Sequence, residues 1–263
     1  MAQSEIDAAV QKYYAELFDE GARLSTRSAQ GRLEFERTQK VVRVATPAPA
    51  RVLDVGGATG THAAALAAAG YDVVLVDPVK SQVDVAARYG TFTALVGDAR
   101  SLDFADDSFD AVLMAGPLYH LASREDRVQA LREGRRVCRP DGIVHAAAIP
   151  RFAGFAAGAL HRGVLESHPQ AWLDLLMHGS PVPSSRFPGG HFHTAEELRD
   201  ELITAGLRDV RVVGLEGPVG VAFEQVQQVP EAAHEAAMQL AETLESVPAT
   251  FALSNHLLGS GTK

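Results

Sequence analysis

The architecture of the chain follows from one segment, RVLDVGGATG at residues 51–60. Its apolar run ends at a cluster of glycines, and an alanine-rich segment at 61–69 follows at once. This pattern predicts a buried strand, a tight turn and the start of a helix. Gly56, Gly57 and Gly60 lack a Cβ, so a ligand can approach the backbone closely there. Because the helix points free N–H groups and the positive end of its dipole at the turn, the segment predicts a binding site for a small polar or anionic group.

The spacing of the glycines separates two kinds of nucleotide-like cofactor. The dinucleotide fingerprint G-x-G-x-x-G needs a glycine where this chain has Ala58, so that match fails. The segment fits better a second pattern, an acid followed by G-x-G-x-G, in which Ala58 replaces the middle glycine. A glycine turn without a ligand stays open on this segment alone, and the rest of the chain has to decide.

Length and composition exclude several classes of protein. The chain has 263 residues, 46% of them hydrophobic, which is ample for the core of one large α/β domain or two small ones. Its net charge of −9 and the lack of a basic stripe argue against a nucleic-acid partner and favour a small molecule. No apolar run is long enough to span a membrane. With a single cysteine, Cys138, and no secretory signal at the N-terminus, the expected location is the cytoplasm.

Short apolar runs alternate with helical segments through the first half of the chain. The runs predict strands at residues 52–55, 72–76, 92–96, 111–114 and 143–149. Helices are predicted between most of them, at 61–69, 81–89 and 124–138. Strands without clean polar alternation are typical of a sheet covered on both faces, and the order predicts a doubly wound parallel sheet. Ligands bind such sheets at the carboxyl ends of the strands.

Helices at 4–20 and 28–45 precede the first strand and are positioned to fold over the site. Their side chains that are candidates to reach a ligand are Tyr13, Tyr14, Arg23, Arg32 and Arg37.

Beyond the fifth strand the pattern changes. Two helices and a loop rich in proline and glycine predict a lid insertion at 151–193, with the helices at 152–165 and 170–178. A capping box at 194–197 then predicts a helix. The remaining predicted elements are strand six at 208–213, a helix at 230–245 and strand seven at 254–261, with 219–226 as the alternative for strand seven.

Polar residues fall at the predicted strand ends. Asp77 follows the second strand, where an acid can accept hydrogen bonds from both ribose hydroxyls of an adenosine, although a helix cap is the alternative role. Asp98 and Ala99 follow the third strand and are placed to contact an adenine ring. These positions favour a nucleoside-containing cofactor.

Class I S-adenosylmethionine (SAM) dependent methyltransferases carry such elements in the same order, and the chain resembles that family over residues 50–150. The matching elements are the loop at 54–60, Asp77, Gly97-Asp98-Ala99, Phe109-Asp110-Ala111-Val112 and Arg139-Pro140-Asp141-Gly142. The run GPLYHL at 116–121 is similar to the small-molecule branch of the family. Ala58 departs from the family pattern, which expects glycine there.

The resemblance implies an α/β, Rossmann-like sheet of seven strands, mostly parallel, with an antiparallel last strand. It implies a single methyltransferase domain over 1–263, made of an N-terminal helical cap (1–48), a SAM-binding core (50–150), the lid insertion (151–193) and the rest of the sheet (194–263). The implied cofactor is SAM, and its product is S-adenosylhomocysteine. Residues expected to bind it are Gly56, Gly57, Ala58, Gly60, Asp77, Pro78, Asp98, Ala99 and Ala115, with Tyr14 and Arg37 from the N-terminal helices.

Methyl transfer from a sulfonium needs proximity and alignment above all, and a general base only if the acceptor must lose a proton. His120 and Tyr119 follow strand four beside the expected methyl group and are the candidate catalytic residues. His191 and His193 are candidates to bind substrate. No metal is expected, because these two histidines lack a third ligand at metal-site spacing. His62, at the helix start, is expected to contact backbone or SAM.

The resulting expectation is methyl transfer to an O, N or C atom of a small molecule, in a protein that could be a homodimer. Three alternatives remain at this point. The same fold and cofactor also serve aminocarboxypropyl transfer or cyclisation, since a fold does not fix a reaction. An NAD-dependent oxidoreductase is disfavoured by the glycine spacing. A protein that binds SAM without catalysis is the third.

Overall fold

The computed structural model describes residues 2–18, 20–159, 169–182 and 187–263. Its centre is a seven-stranded sheet with the strand order β3-β2-β1-β4-β5-β7-β6. The strands are β1 (Arg51–Val55), β2 (Asp72–Asp77), β3 (Thr93–Val96), β4 (Phe109–Met114), β5 (Cys138–Ala148), β6 (Arg208–Gly214) and β7 (Leu257–Thr262). Only β7 runs antiparallel to its neighbours. The predicted fold class is confirmed.

Helices cover both faces of this sheet. They are α1 (Gln3–Lys12), α2 (Ala29–Ala45), α3 (Thr61–Ala68), α4 (Lys80–Ala86), α5 (Arg124–Val137), α6 (Arg151–Ala159), α7 (Pro169–His178), α8 (Ala195–Thr204), α9 (Pro218–Phe223), α10 (Glu231–Leu244) and α11 (Pro248–Phe251). None of these described helices has the length and apolar character needed to cross a bilayer.

The central strand β4 shows how the two faces arise. Successive side chains of a strand point to opposite faces. Ala111 and Leu113 pack with α2 and α3 in one apolar cluster. Val112 and Met114 pack with α5 and α8 in the other. All four are fully buried, which explains why β4 lacks polar alternation.

The structure corrects the start of strand five. β5 begins at Cys138 rather than at Ile143, because Cys138 already pairs with Phe109. The family-like residues 139–142 lie within this strand, where its register against β4 shifts. Asp141 has a left-handed backbone there, with φ of 62°.

Strand seven also differs from its predicted bounds. β7 begins at Leu257, three residues after the predicted start. Ser254 does not pair in the sheet, because its hydroxyl accepts hydrogen bonds from the N–H groups of Glu216 and Gly217. The alternative for strand seven at 219–226 is wrong, since this region contains helix α9.

The first predicted helix is shorter than expected. α1 ends at Lys12, and a π-helical turn follows at Tyr13–Leu17 before Phe18 adopts an extended backbone. At the start of α1 the Glu5 carboxylate accepts from the Ala2 N–H at 2.8 Å. The break matters for the site, since it places Tyr14 on a turn rather than on a regular helix face.

Two helix starts agree with the sequence pattern. The Thr194 hydroxyl accepts from the Glu197 N–H, and the Glu197 carboxylate accepts from the Thr194 N–H, so the predicted capping box is confirmed. Ser28 caps α2 by accepting from the Gly31 N–H.

Within the insertion, part of the predicted helix at 152–165 and part of the loop lie outside the described residues.

Candidate active site

A cavity of about 300 Å³ opens at the carboxyl ends of β1, β2 and β4, under the N-terminal helices. The predicted site residues that line it are Tyr14, Gly56, Gly57, Ala58, Asp77, Pro78, Asp98, Ala99, Ala115, Tyr119 and His120. Gly60 belongs to the same loop but does not line the cavity, since a Cβ there would meet the Phe92 ring, and Arg37, His191 and His193 lie elsewhere. The strand-end prediction therefore locates the cavity, while the residues from other segments need correction.

The glycine loop bends sharply between β1 and α3. Gly56 and Gly60 have φ values of 75° and 86°, in the left-handed region that favours glycine. Ala58 adopts φ of 47°, the same region, where a side chain is strained. Gly57 is required for space, because a Cβ there would lie 2.5 Å from Leu75 Cδ1. At the departure from the family pattern, Ala58 thus adopts the left-handed backbone that glycine would take more easily.

Asp77 ties this loop to the end of β2. Its carboxylate accepts from the Ala58 N–H at 2.9 Å and from the Val79 N–H at 2.8 Å. Burial raises the pKa of Asp77 to about 6, against the opposing effect of these two hydrogen bonds. The group is a buried carboxylate on the cavity wall, with lone pairs still available for a hydroxyl donor.

Asp54 lies beneath the loop and is fully buried. Burial, followed by the charge of Asp77, raises the pKa of Asp54 to about 7. Two carboxylates close together in a site of low polarity titrate well above their ordinary range. A cation in the cavity would favour the ionised form of both.

The predicted adenine end of the cavity holds an ion-paired group. Arg100 donates to the Asp98 carboxylate through its backbone N–H at 2.8 Å and its Nη2 at 2.6 Å. The same Nη2 lies 3.1 Å from Asp7 of α1. Burial acts to raise the pKa of Asp98, but the hydrogen bonds from Arg100 outweigh it and hold the pKa below its ordinary value. Asp98 is thus an ionised acceptor at this end of the cavity.

His120 and Tyr14 meet on the opposite wall. The Tyr14 hydroxyl lies 3.1 Å from His120 Nε2, and His120 Nδ1 lies 2.9 Å from the Pro188 carbonyl oxygen. Burial lowers the pKa of His120 to about 4, so the imidazole is neutral at pH 7. Phe187 packs on the same ring. Two residues of the insertion therefore hold the His120 ring in place, Phe187 by packing on it and Pro188 by its hydrogen bond to Nδ1.

Tyr119 has a different environment from its neighbour. Its hydroxyl donates to the Ala115 carbonyl oxygen at 2.7 Å. Burial raises its pKa well above the ordinary value, so the phenol stays protonated. The ring lines the cavity, but the hydroxyl proton is held by backbone. This arrangement suits a packing surface better than a proton acceptor.

The prediction that Arg37 binds the cofactor is corrected by its position. Arg37 is buried, donates to the Leu215 carbonyl oxygen at 3.2 Å and pairs with Glu245 at 2.5 Å. It fixes α2 against the segments around β6 and α10. Arg23, another candidate arginine, lines the cavity instead and pairs with Glu20 and Glu34.

His191 and His193 also lie away from the cavity. His193 is fully buried with its Nε2 3.2 Å from Glu201, which pairs with Arg127 at 2.7 Å. His191 Nε2 lies 3.5 Å from Glu197. Both histidines fasten the end of the insertion to α8, so the structure gives them no contact with a substrate in this cavity.

Three functional candidates escaped the sequence analysis: Glu20, Glu34 and Gln39. The two glutamates line the cavity, and Gln39 contacts His62 from behind. They lie on the N-terminal helices, where helical periodicity shows a buried face but not what that face covers. Only the fold reveals that part of this face borders a ligand cavity.

Residues of metal-binding type meet in one described group, Glu34, Glu216 and His256, whose ligand atoms lie within 4.8 Å of one another. Protein hydrogen bonds already engage them. Gln30 donates to Glu216 Oε1 at 2.8 Å, and His256 Nδ1 lies 2.7 Å from the same oxygen. Arg23 pairs with Glu34. The group is therefore a buried polar network behind the cavity wall.

The comparisons with known proteins agree with this geometry. A family model described as a methyltransferase domain matches residues 52–142. The chain is 32% identical over 155 residues to a demethylmenaquinone methyltransferase of Renibacterium salmoninarum, covering 57% of this chain and 59% of that relative. It is 31% identical over 193 residues to the enzyme of the same name from Paenarthrobacter aurescens, covering 69% of this chain and 71% of the relative.

A solved structure shares the fold. It is a SAM-dependent methyltransferase from Thermotoga maritima, named as a possible histamine N-methyltransferase, with a TM-score of 0.61 at 19% identity. The superposition covers 97% of this chain and 99% of the other. The chain belongs to the class I SAM-dependent methyltransferase family. SAM is the cofactor of this family.

The residues of the cavity fit that cofactor. Five carboxylates and two guanidinium groups line its described walls. They are Asp7, Glu20, Glu34, Asp77 and Asp98 against Arg23 and Arg100. An excess of negative charge suits a ligand with a sulfonium cation. The buried acceptor Asp77, beside a backbone loop at a helix N-terminus, suits the ribose and polar half of such a ligand.

Proposed function

We propose that the protein transfers a methyl group from SAM to an O, N or C atom of a small molecule, by in-line displacement in this covered cavity. The observation that carries the proposal is the joint presence in one cavity of the Asp77–loop arrangement and the neutral His120–Tyr14 pair. SAM supplies a methyl group that is already activated by the sulfonium. The chain has to orient the partners, exclude water and accept a proton where one is released.

Asp77 is proposed to bind the ribose hydroxyls, and Asp98 with Ala99 the adenine ring. Both carboxylates lie at strand ends on the cavity wall. Gly56, Gly57 and Ala58 would bind the remaining part of the cofactor through backbone. Pro78, Ala115 and Tyr14 complete the contacts as apolar or aromatic walls.

His120 is proposed to accept the proton of the methyl acceptor, directly or through Tyr14. The Pro188 carbonyl can only accept, so it holds the proton of the imidazole on Nδ1 and makes Nε2 the acceptor, to which the Tyr14 hydroxyl donates. A pKa of about 4 makes His120 a weak base. A weak base suffices for a hydroxyl acceptor, because the oxygen becomes strongly acidic as it gains the methyl group. General-base assistance of this kind contributes roughly 10²–10⁴-fold.

The names of the two relatives support a small-molecule acceptor. Both are called demethylmenaquinone methyltransferases, and the chain spans 59% of the length of the first. We carry over only the class of acceptor, a small organic molecule.

The cofactor part of the proposal is tested by thermal unfolding and calorimetry with SAM, S-adenosylhomocysteine and NAD. A ligand at 100 times its dissociation constant stabilises the folded state by about 2.7 kcal/mol. We expect stabilisation by the two sulfur nucleosides and not by NAD. Stabilisation by NAD alone would contradict the assignment.

The catalytic part is tested by product analysis with pools of small molecules. S-adenosylhomocysteine as the product supports methyl transfer, whereas methylthioadenosine shows aminocarboxypropyl chemistry. With the acceptor in hand, His120→Gln should lower kcat by roughly 10²-fold or more while cofactor affinity is kept. His178→Gln, at an exposed histidine of α7, is the matched control. Equal activity of these two variants would rule out His120 as the base.

A further inference from the structure

Two histidines of the cavity wall hold their single proton on opposite ring nitrogens. A neutral imidazole has one N–H donor and one acceptor nitrogen, and its hydrogen-bond partners decide which is which. The partners of His62 and His120 can be assigned from the protein alone. The result is one wall that accepts a proton and another that donates a hydrogen bond.

For His120 the assignment follows from Pro188. A carbonyl oxygen accepts only, so Nδ1 carries the proton. Nε2 is then an acceptor, and the Tyr14 hydroxyl at 3.1 Å donates to it. This edge of the ring faces the cavity, which both side chains line.

For His62 the assignment follows from Gln39 and Arg43. Arg43 Nη2 lies 3.0 Å from Gln39 Oε1, and a guanidinium can only donate, so the orientation of the Gln39 amide is fixed. Gln39 Nε2 therefore donates to His62 Nδ1 at 3.0 Å. His62 Nδ1 is an acceptor, and the proton of the ring is on Nε2. Because Gln39 lies behind the cavity wall, the opposite edge of the ring borders the cavity.

The charges beside His62 select the kind of group that this donor binds. Glu20 and Glu34 line the same cavity, and Arg23 is paired with both. The three groups together carry one net negative charge. An anionic partner for His62 is disfavoured there, so the donor is suited to a neutral oxygen.

We propose that His62 donates a hydrogen bond from Nε2 to a neutral carbonyl oxygen of the methyl acceptor. The acceptor is then a hydroxy-carbonyl compound, with an ionisable hydroxyl or enol at the Tyr14–His120 pair and a carbonyl at His62. This inference rests on the proposed function. Gln39 is a positioning residue, which acts by setting the proton of His62. An acceptor without the carbonyl leaves a buried N–H unpaired and binds roughly 10- to 100-fold more weakly.

The first test measures the two protons directly. Nitrogen NMR of imidazole-labelled protein should show His62 protonated at Nε2 and His120 at Nδ1. Gln39→Glu presents an accepting carboxylate and should move the His62 proton to Nδ1, with His120 unchanged. Gln239→Glu on the exposed face of α10 is the control for added charge. A His62 proton on Nδ1 in the native protein would overturn the inference.

The second test measures binding of two matched probes to the S-adenosylhomocysteine complex by calorimetry. The probes are 4-hydroxybenzaldehyde, which has the carbonyl, and 4-methylphenol, which does not. The native protein should bind the aldehyde roughly 10- to 100-fold more tightly. His62→Phe and Gln39→Glu should lose this preference while their affinity for S-adenosylhomocysteine stays within about threefold of the native value.

The outcomes separate this inference from the proposed function. Equal affinity for the two probes, no binding of the aldehyde, or a preference that survives Gln39→Glu would overturn the role of His62. A loss of S-adenosylhomocysteine affinity in both variants would also overturn it, since the donor would then serve the cofactor. If the native protein binds no S-adenosylhomocysteine at all, the proposed function itself fails.

Discussion

Cofactor affinity should depend on pH through one carboxylate, Asp77. If Asp77 accepts the ribose hydroxyls, its ionised form binds the cofactor and its protonated form binds poorly. The variant to compare is Asp77→Asn, which keeps the shape of the side chain and cannot titrate. An amide oxygen can still accept one of the two backbone N–H groups that the carboxylate now holds, those of Ala58 and Val79.

The size of the effect follows from the raised pKa of Asp77. Burial brings it to about 6, so the carboxylate is almost fully ionised at pH 7.5 and about nine-tenths protonated at pH 5. Affinity for S-adenosylhomocysteine should therefore fall about tenfold between these pH values, or about 1.4 kcal/mol. The sign is fixed, because ribose hydroxyls donate and only the ionised form accepts well.

Calorimetric titration with S-adenosylhomocysteine at pH 7.5, 6.5, 5.5 and 5.0 tests this expectation. The affinity of Asp77→Asn for S-adenosylhomocysteine should be roughly 10- to 100-fold lower than that of the native protein at pH 7.5. It should depend little on pH. Asp98→Asn is the matched control, since Arg100 holds the pKa of Asp98 low and its loss should leave the slope intact. A flat native profile, or the same slope in Asp77→Asn, would refute the placement of the ribose at Asp77.

Three further predictions concern stability. Burial raises the pKa of Asp54 to about 7, so the contribution of Asp54 to native stability should fall as the pH rises from about 4 to 7. In urea unfolding, the stability of Asp54→Asn relative to the native protein should therefore rise over this range, and a difference that does not change with pH would contradict the prediction. Glu201→Gln leaves the buried Arg127 without its charged partner, so it should lower the free energy of unfolding in urea by about 3–5 kcal/mol. The control Asp84→Asn removes an exposed ion pair and should lower it by less than about 1 kcal/mol. Gly57→Ala places a Cβ 2.5 Å from Leu75 Cδ1. The variant should therefore be less stable by about 1–3 kcal/mol and should bind S-adenosylhomocysteine more weakly. Thermal unfolding with and without the ligand measures both effects.

The pattern of apolar residues and glycines along the chain predicted those strands and turns that depend on burial and on backbone conformation at the same residues. Each of β1, β2 and β4 is buried at all but one residue, so their apolar runs mark them clearly, and the glycine loop marks the end of β1. The predicted bounds of a strand were wrong where pairing with a neighbouring strand determines where it begins. Cys138 joins β5 because Phe109 pairs with it, and no pattern around Cys138 signals that pairing.

The site was predictable to the same extent. Asp77 and Asp98 occupy strand ends, so their location follows from topology alone. Arg37 and Arg23 look alike in sequence, yet Arg37 is held by Glu245 and Arg23 lines the cavity. Which arginine reaches the cavity depends on the break after α1 and on how α2 packs, and both are tertiary effects.

The matched core holds the proposed cofactor site together with His62 and His120, but not the residues that set the protons of these two histidines. The family model matches residues 52–142, which contain the glycine loop, Asp77 and Asp98. The groups that set the proton of His120 lie outside it: Tyr14 precedes the matched region and Pro188 follows it. The proposed base is therefore assembled only when the N-terminal helices and the insertion both contact the core. Relatives that match this chain mainly in the core can share its cofactor and still use a different acceptor, because Tyr14 and Pro188, which set the proton of the proposed base, come from segments that the match does not include.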